Sequence, residues 1–95
     1  MQNAPLKYNI KPGSERQKQC NKYHLHLAYE LRNIPHSKQS IYTDIYSVGY
    51  IFHLYLSKII RHRNFDRIVS NMTIVNPQRR PTLDLVYRNI NSLSL

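Results

Sequence analysis

Histidine and cysteine are the side chains of this chain with the greatest potential for catalysis or metal binding. The histidines stand at positions 24, 26, 36, 53 and 62, and Cys20 is the only cysteine. A zinc site needs about four Cys, His or acidic ligands at short spacings, and the pair His24-x-His26 has no cysteine or acidic cluster beside it. Cys20 has neither a disulfide partner nor the neighbours of a catalytic motif. The pattern therefore predicts no metal centre and no cysteine chemistry.

Basic side chains are the second feature with chemical consequences. The chain has 14 Lys and Arg against 5 Asp and Glu, a net charge of +9. Such a chain attracts polyanions nonspecifically whatever its function. The densest basic residues are Lys58, Arg61, His62 and Arg63, followed by the pair Arg79 and Arg80. The first cluster has two interpretations: a nucleic-acid patch that displaces phosphate counterions, or a solvated helix end whose cations suit the helix dipole. We favour the helix end.

Length and composition limit the architecture that can position these residues. A chain of 95 residues fits one small domain, and 41% hydrophobic residues are typical of a globular protein. No run of about 18 apolar residues predicts a membrane span, and the start lacks the apolar region of a secretion signal. We therefore expect an intracellular protein, cytoplasmic or nuclear, with no membrane partner. No strand or internal repeat is predicted, so the fold class is all-α, with three to four helices.

The first third of the chain has weak helical signals. Residues 1–21 are polar and basic, and Pro5, Pro12 and Gly13 interrupt any period, which predicts a flexible N-terminal segment. A short helix or turn is predicted over residues 22–32. Residues 34–40 are predicted to form a loop, because Ile34 precedes a proline.

The strongest helical signal runs from about Tyr42 to Ile60. Apolar residues spaced three or four apart form a continuous stripe of Ile41, Ile45, Val48, Phe52, Tyr55 and Ile59. Most other positions of the segment are apolar as well, so this central helix needs neighbours on nearly all sides. A chain of 95 residues is too short to surround it. This mismatch indicates that part of its packing surface must come from elsewhere.

Two shorter helices are predicted after the central one. The first has the i, i+3, i+4, i+7 spacing of a two-turn helix, in Phe65, Ile68, Val69 and Met72. The dipeptide Asn76-Pro77 then breaks the chain. Thr82 is a suitable N-cap for a last helix, whose stripe comprises Leu83, Val86, Ile90 and Leu93.

Three short segments share their order and spacing with a known family. They are residues 27–31 (Leu-Ala-Tyr-Glu-Leu), 43–49 (Thr-Asp-Ile-Tyr-Ser-Val-Gly) and 76–82 (Asn-Pro-Gln-Arg-Arg-Pro-Thr). They are similar to the Ala-Pro-Glu motif, the Ser-Asp-Val-Trp-Ser-x-Gly signature and the Asp-Pro-x-x-Arg-Pro-Thr run of the C-terminal lobe (C-lobe) of protein kinases. The resemblance covers about residues 22–93. It implies a partial kinase-like C-lobe over residues 22–95, built around the central apolar helix.

The resemblance assigns structural roles to single residues. The motif residues are Ala28, Glu30, Asp44, Gly49, Arg80 and Pro81. In the family the motif glutamate pairs with the late arginine, which implies a Glu30–Arg80 ion pair whose bidentate geometry would join two distant segments. Asp44 would hold a catalytic loop that this sequence lacks, so a place in the first turn of a helix remains for it. Gly49 in mid-helix indicates the close approach of a neighbouring chain segment, and Tyr29 in place of the motif proline puts the usual turn in doubt.

The motifs of phosphoryl transfer are missing from the sequence. The reaction requires a Gly-rich loop, a phosphate-binding lysine, carboxylates for magnesium and a base for the acceptor hydroxyl. The chain has only the glycines Gly13 and Gly49, and it has no Val-Ala-Ile-Lys, His-Arg-Asp or Asp-Phe-Gly segment. The family uses ATP and magnesium, but we expect this chain alone to bind no cofactor and to have no kinase activity.

Two functions are compatible with these observations. The first is a truncated protein kinase domain fragment, in which residues 1–21 are a candidate remnant of the activation loop. Its partner would be the missing N-terminal part of a kinase domain or another protein. The alternative is a non-catalytic basic helical binding module for nucleic acid or a protein partner, although the break between the last two helices is too long for a helix-turn-helix.

Overall fold

The computed structural model describes residues 7–8 and 10–93. This part of the chain is mostly helical, and none of its helices combines the length and apolar character that a bilayer span requires. The elements in chain order are β1 Lys7–Tyr8, α1 Glu15–Tyr23, α2 Tyr29–Asn33, β2 Ser37–Lys38, α3 Ile41–Ile51, a π-helical segment Phe52–Leu56, α4 Arg63–Met72, a 3₁₀ turn Pro77–Arg79 and α5 Leu83–Asn91. The all-α class is confirmed, but the described residues contain five α-helices rather than the predicted three to four.

The additional helix, α1, lies in the segment predicted to be flexible. Ser14 caps it by accepting a hydrogen bond from the Gln17 backbone N–H at 3.2 Å, and Glu15 and Lys22 occupy its first and last turns. The cap, the charges at the ends and a run of good helix formers favour this helix locally. Apolar periodicity missed it because Cys20 is its one buried residue. The predicted flexible segment is therefore wrong from Glu15 onward, and residues 1–6 and 9 lie outside the described residues.

The second unpredicted element is a short antiparallel ladder. Lys7 lies opposite Lys38, and Tyr8 lies opposite Ser37. The chain turns into β2 through Pro35 and His36, and His36 adopts a left-handed φ of 63°. Two-residue strands carry no alternating pattern that a sequence could reveal, so the pattern of residues 34–40 gives no sign of β2.

The main core lies between α3, α4 and α5. It comprises Ile45, Ile68, Met72 and Val86, with Phe52, Ile90 and Leu93 packed against it. Helix α4 agrees with its predicted stripe, because Phe65, Ile68, Val69 and Met72 are its buried residues. Thr82 caps α5 as predicted, by accepting from the Leu85 N–H at 3.2 Å. The α5 stripe is only partly correct, since Leu83 is 49% exposed.

The central helix is shorter and less buried than its sequence predicts. The α-helical part ends at Ile51, and the π-helical segment ends at Leu56, where Ser57 N donates to Phe52 O at 3.0 Å. A π-helical turn widens the helix and shifts the direction of the side chains that follow it. The predicted stripe therefore breaks, and Tyr55 and Ile59 are 66% and 79% exposed.

The other stripe positions are divided between core and surface. Ile45 is buried and Phe52 is half-buried, whereas Ile41 and Val48 are exposed. Ile51 and Leu54, on the rest of the helix, are exposed as well. As its all-round apolar composition predicts, the central helix has more apolar surface than the described part of the chain covers.

Helix α4 approaches α3 closely at Gly49. A Cβ atom at this position would lie 2.6 Å from Met72 Cβ and 3.1 Å from Thr73 Cγ2. A Cβ atom cannot move without its backbone, so α4 would have to shift. Gly49 therefore allows α3 and α4 to pack at a distance that no other residue permits, as its mid-helix position indicated.

We expect Gly49→Ala to lower the free energy of unfolding by about 1–2 kcal/mol, because overpacking outweighs the helix propensity that alanine gains. The midpoint of urea unfolding, followed by circular dichroism, measures the change. Ser70→Ala, at an exposed position of α4, is the control and should leave the midpoint unchanged or raise it slightly. A rise in the urea midpoint of the Gly49→Ala variant would contradict the close α3–α4 contact.

Candidate functional site

Glu30 and Arg80 form a buried ion pair across 50 residues of sequence. Arg80 Nη1 donates to Glu30 Oε2 and Nη2 donates to Glu30 Oε1, both at 2.8 Å. The side chain of Arg80 is 0% exposed and that of Glu30 is 10% exposed. This is the parallel, two-bonded geometry in which a guanidinium matches a carboxylate best. The ion pair expected from the sequence is present.

Arg80 also binds three backbone carbonyls. Nε donates to Ile74 O at 2.8 Å, Nη1 to Tyr42 O at 2.9 Å and Nη2 to Val75 O at 3.2 Å. Together with the two bonds to Glu30, these contacts use every N–H group that a guanidinium has. One side chain therefore links α2, the first turn of α3 and the segment that follows α4.

Tyr46 completes this junction from the second turn of α3. The Cζ atom of Arg80 lies 4.8 Å from the centroid of the Tyr46 ring, within cation–π range. The hydroxyl of Tyr46 accepts a hydrogen bond from Arg32 Nη2 at 3.1 Å. The ring thus contacts one arginine with its π system and another with its oxygen. We call Glu30, Arg32, Tyr46 and Arg80 the arginine junction.

Arg32 is the member of the junction that sequence reasoning missed. It is 7% exposed and donates from Nε to Leu27 O at 2.9 Å and from Nη1 to Asn21 Oδ1 at 2.8 Å. Among the described residues it has no carboxylate partner, and its three acceptors are neutral. No motif or spacing in the sequence identifies Arg32 as a buried residue, because its hydrogen-bond partners come from three separate segments. These segments are α1, the turn that precedes α2, and α3 itself. Its contacts attach α1 to the rest of the helices.

The remaining predicted motif residues lie around the junction without forming a chemical site. Ala28 is fully buried as the N-cap of α2, and Pro81 is half-buried directly after Arg80. Asp44 is exposed in the first turn of α3, where the N-cap is Ser40 rather than an aspartate. Gly49 contacts α4 instead of the ion pair.

The turn before α2 forms although Tyr29 replaces the proline of the family motif. Ala28 has φ −56° and ψ 148°, and Leu31 N donates to Ala28 O at 3.0 Å. This extended conformation is the one that a residue before proline adopts, and Tyr29 occupies the first helical position, where proline is common. The backbone at Ala28 and Tyr29 is therefore compatible with either residue at position 29.

The basic cluster lies between the central helix and α4. Lys58, Arg61 and Arg63 are exposed, and His62 caps α4 by accepting from Asn64 N at 3.1 Å through Nδ1. Arg63 is the first residue of α4, where a cation opposes the helix dipole instead of suiting it. The helix-end interpretation of the cluster therefore applies to Lys58 at most.

The histidines and acidic residues do not converge. The rings of His24 and His26 lie 5.9 Å apart in an edge-to-face arrangement. Over residues 7–8 and 10–93, no three His, Cys, Asp or Glu side chains form a group that could hold a metal ion. Asp44, Asp66 and Asp84 occupy the first turns of α3, α4 and α5 respectively, and all three are exposed.

Neither a protein-family model, nor a curated protein, nor a solved structure matches this chain. The resemblance to protein kinases accordingly depends on the three short segments of the sequence.

We expect Glu30→Ala to lower the free energy of unfolding by about 3–5 kcal/mol, because it leaves the Arg80 guanidinium buried without its counterion. Urea unfolding followed by circular dichroism measures the loss. The matched control is Asp84→Ala, which removes the exposed Arg88–Asp84 pair at 2.8 Å and should cost about 0.5 kcal/mol or less. Equal effects of the two substitutions would show that the buried pair does not hold the fold together.

We expect Tyr46→Phe to cost about 1.5–3 kcal/mol, because it removes a hydrogen-bond acceptor from the buried charge of Arg32 while it keeps the ring beside Arg80. Tyr50→Phe, one turn further along α3, is the control, since the Tyr50 hydroxyl makes no hydrogen bond to the described residues. Thermal unfolding of the two variants measures the loss of stability that each substitution causes. If Tyr50→Phe destabilised as much as Tyr46→Phe, the contact with Arg32 would have no special weight.

Proposed function

We propose that this chain is a fragment of a protein-kinase-like C-lobe that does not transfer phosphate by itself. The observation that carries the proposal is the arginine junction, in which Glu30, Tyr46 and Arg80 come from the three segments that resemble kinase motifs. Each segment alone is short. Their contact through one buried guanidinium gives the three a common structural reason to occur together.

The residues present do not fit the nucleotide and metal of the family. Magnesium in these enzymes is held by carboxyl and amide oxygens next to the phosphates of ATP. Here the three aspartates are exposed in the first turns of three different helices, and among the described residues no three His, Cys, Asp or Glu side chains form a group that could hold a metal ion. The positions of the acidic side chains favour a structural role, in which each complements a helix dipole.

The uncovered side of α3 supports the view that the fragment works with a partner. Ile41 and Val48 are exposed on a helix that would be internal in a larger lobe. We infer that the missing N-terminal part of a kinase domain, or another protein, covers this surface. The catalytic groups would also have to come from that partner.

The charge of the chain adds a nonspecific affinity for polyanions. The net charge is +9, and Lys58, Arg61 and Arg63 are exposed in one short stretch. Lysine and arginine at this density attract nucleic acid through phosphate contacts that carry no sequence information. We therefore expect such binding to accompany the proposed role and to weaken steeply with salt.

Sequencing of the native transcript through and upstream of Met1 tests the proposal. We expect in-frame codons for a Gly-rich loop, a lysine strand, His-Arg-Asp and Asp-Phe-Gly, which would make the chain part of a complete kinase domain, or an in-frame stop codon, which would make it a catalytically inactive remnant. An upstream reading frame that encodes a domain without these motifs would contradict the kinase relationship.

A transfer assay tests the second half of the proposal. The purified chain, incubated with ATP, magnesium and protein substrates, should transfer no phosphate above the protein-free blank, because its sequence lacks the motifs that position the phosphates and the acceptor hydroxyl. Transfer that persists through repeated purification would contradict the predicted inactivity.

A further inference from the structure

A groove with an apolar lining lies between the end of α1 and the second half of the central helix. It has a volume of about 410 Å³, and its aliphatic side chains are Leu25, Ile51 and Leu54. These side chains are 37–47% exposed, which is unusual for large aliphatic residues so close together. A volume of this size lies within the range of sites that bind other molecules. We call this feature the α1–α3 groove.

Three tyrosines line the same groove. Tyr23 comes from α1, Tyr50 from α3 and Tyr55 from the π-helical segment. Tyrosine offers a large contact area and a polar tip at a low entropy cost, and it is enriched among the residues that dominate protein–protein binding. The combination of aliphatic and tyrosine side chains favours the apolar anchors of a protein over the phosphate backbone of a nucleic acid.

The groove is suited to a helix rather than to an extended peptide. An added strand needs a strand edge to pair with, and none of the residues that line the groove belongs to a strand. The walls of the α1–α3 groove are helical or follow directly from α1. On the central helix the lining residues run from Tyr50 to Tyr55, about one and a half turns, against which the i, i+3 and i+4 side chains of a second helix can pack.

The charges at the groove indicate the charge of its partner. Lys22 and His26 line it, and no carboxylate does. The Lys22 ammonium lies 5.1 Å from the centroid of the Tyr23 ring, so it is held beside the apolar surface. A second copy of the chain would bring a further net charge of +9 to this site. Charge complementarity therefore favours an acidic partner over self-association.

We propose that the α1–α3 groove binds an amphipathic helix of another protein, which inserts apolar side chains between Leu25, Ile51 and Leu54 and places Asp or Glu beside Lys22. This inference depends on the lining and charge of the groove and not on the kinase resemblance. It can therefore hold where the kinase relationship fails, and it can fail where that relationship holds.

The probe is a fluorescently labelled peptide of about 18 residues, long enough to form a helix on binding, with Leu on one helical face and Glu elsewhere. Its anisotropy is titrated with the full chain at about 0.15 M salt, which screens diffuse attraction to the basic surface. Two comparison peptides have the same composition with the leucines dispersed around the helix, or Lys in place of Glu. We expect both to bind at least about tenfold more weakly than the first peptide.

Variants of the chain locate the binding site. The double substitution Ile51→Ser and Leu54→Ser should weaken binding of the acidic peptide by at least about tenfold. Leu85→Ser is the matched control, because Leu85 is 46% exposed against 47% for Ile51 and lies on α5, outside the groove. Lys22→Glu should weaken the acidic peptide and strengthen the lysine peptide, whereas Lys38→Glu on β2 should change neither preference. Circular dichroism confirms that each variant keeps its helices.

Each other outcome overturns the proposal. Equal binding of the dispersed peptide would mean that charge alone attracts it, and equal binding of the lysine peptide would remove the acidic preference. If Leu85→Ser weakened peptide binding as much as the Ile51 and Leu54 double substitution, the binding site would lie outside the groove. If an oligothymidine displaced the peptide and lost its own affinity in the Ile51 and Leu54 double variant, the groove would be a nucleic-acid site instead. Self-association that the same double variant abolished would identify a second copy as the occupant.

Discussion

A single buried guanidinium holds the described part of this chain together. Arg80 has no exposed side-chain surface, and its five N–H groups bind Glu30 and the carbonyls of Ile74, Val75 and Tyr42. A buried charge is costly unless every one of its donors has a partner. The structure satisfies this requirement by bringing α2, the first turn of α3 and the segment after α4 to one point. The contacts of Arg80 therefore join these elements in addition to the apolar core of α3, α4 and α5.

Tyr46 extends this constraint to a second cation. Its ring lies beside Arg80 and its hydroxyl binds Arg32, which connects α1 through Asn21. Arg32 has neutral acceptors among the described residues, so its burial depends on the placement of each one. A small protein with a modest apolar core thus uses polar contacts to fix the relative positions of its helices. Because its net charge is +9, the chain has few carboxylates that can act as counterions for its buried cations.

Many apolar side chains lack packing partners among the described residues, in contrast to the fully bonded side chain of Arg80. The core of α3, α4 and α5 is compact around Ile45 and Met72, but Ile51, Leu54 and Tyr55 on the same central helix are exposed. A monomer that keeps such a surface usually uses it for binding. This surface favours a protein whose role includes contact with a partner.

Features whose cause is local or periodic could be predicted from the amino-acid sequence. Helix α4 follows from the spacing of Phe65, Ile68, Val69 and Met72, the last helix begins at its Thr82 cap, and Gly49 indicated the close contact with α4. The Glu30–Arg80 pair was also predictable, but through a family resemblance rather than through physics. Helix α1 escaped because its stabilising features are a cap and charges, which leave no apolar period.

Which apolar residues are buried, and which cations share a partner, depends on how the helices pack against one another. The π-helical turn after Ile51 redirects Tyr55 toward solvent, and no spacing in the sequence announces such a turn. Arg32 is a charged residue in a short helix, and its burial depends on Asn21 and Tyr46, which lie 11 and 14 residues away. Periodicity describes one helix at a time, whereas burial and hydrogen bonding depend on which helices meet. For this reason the sequence predicted the helices that pack, and the structure was needed to find the junction and the groove.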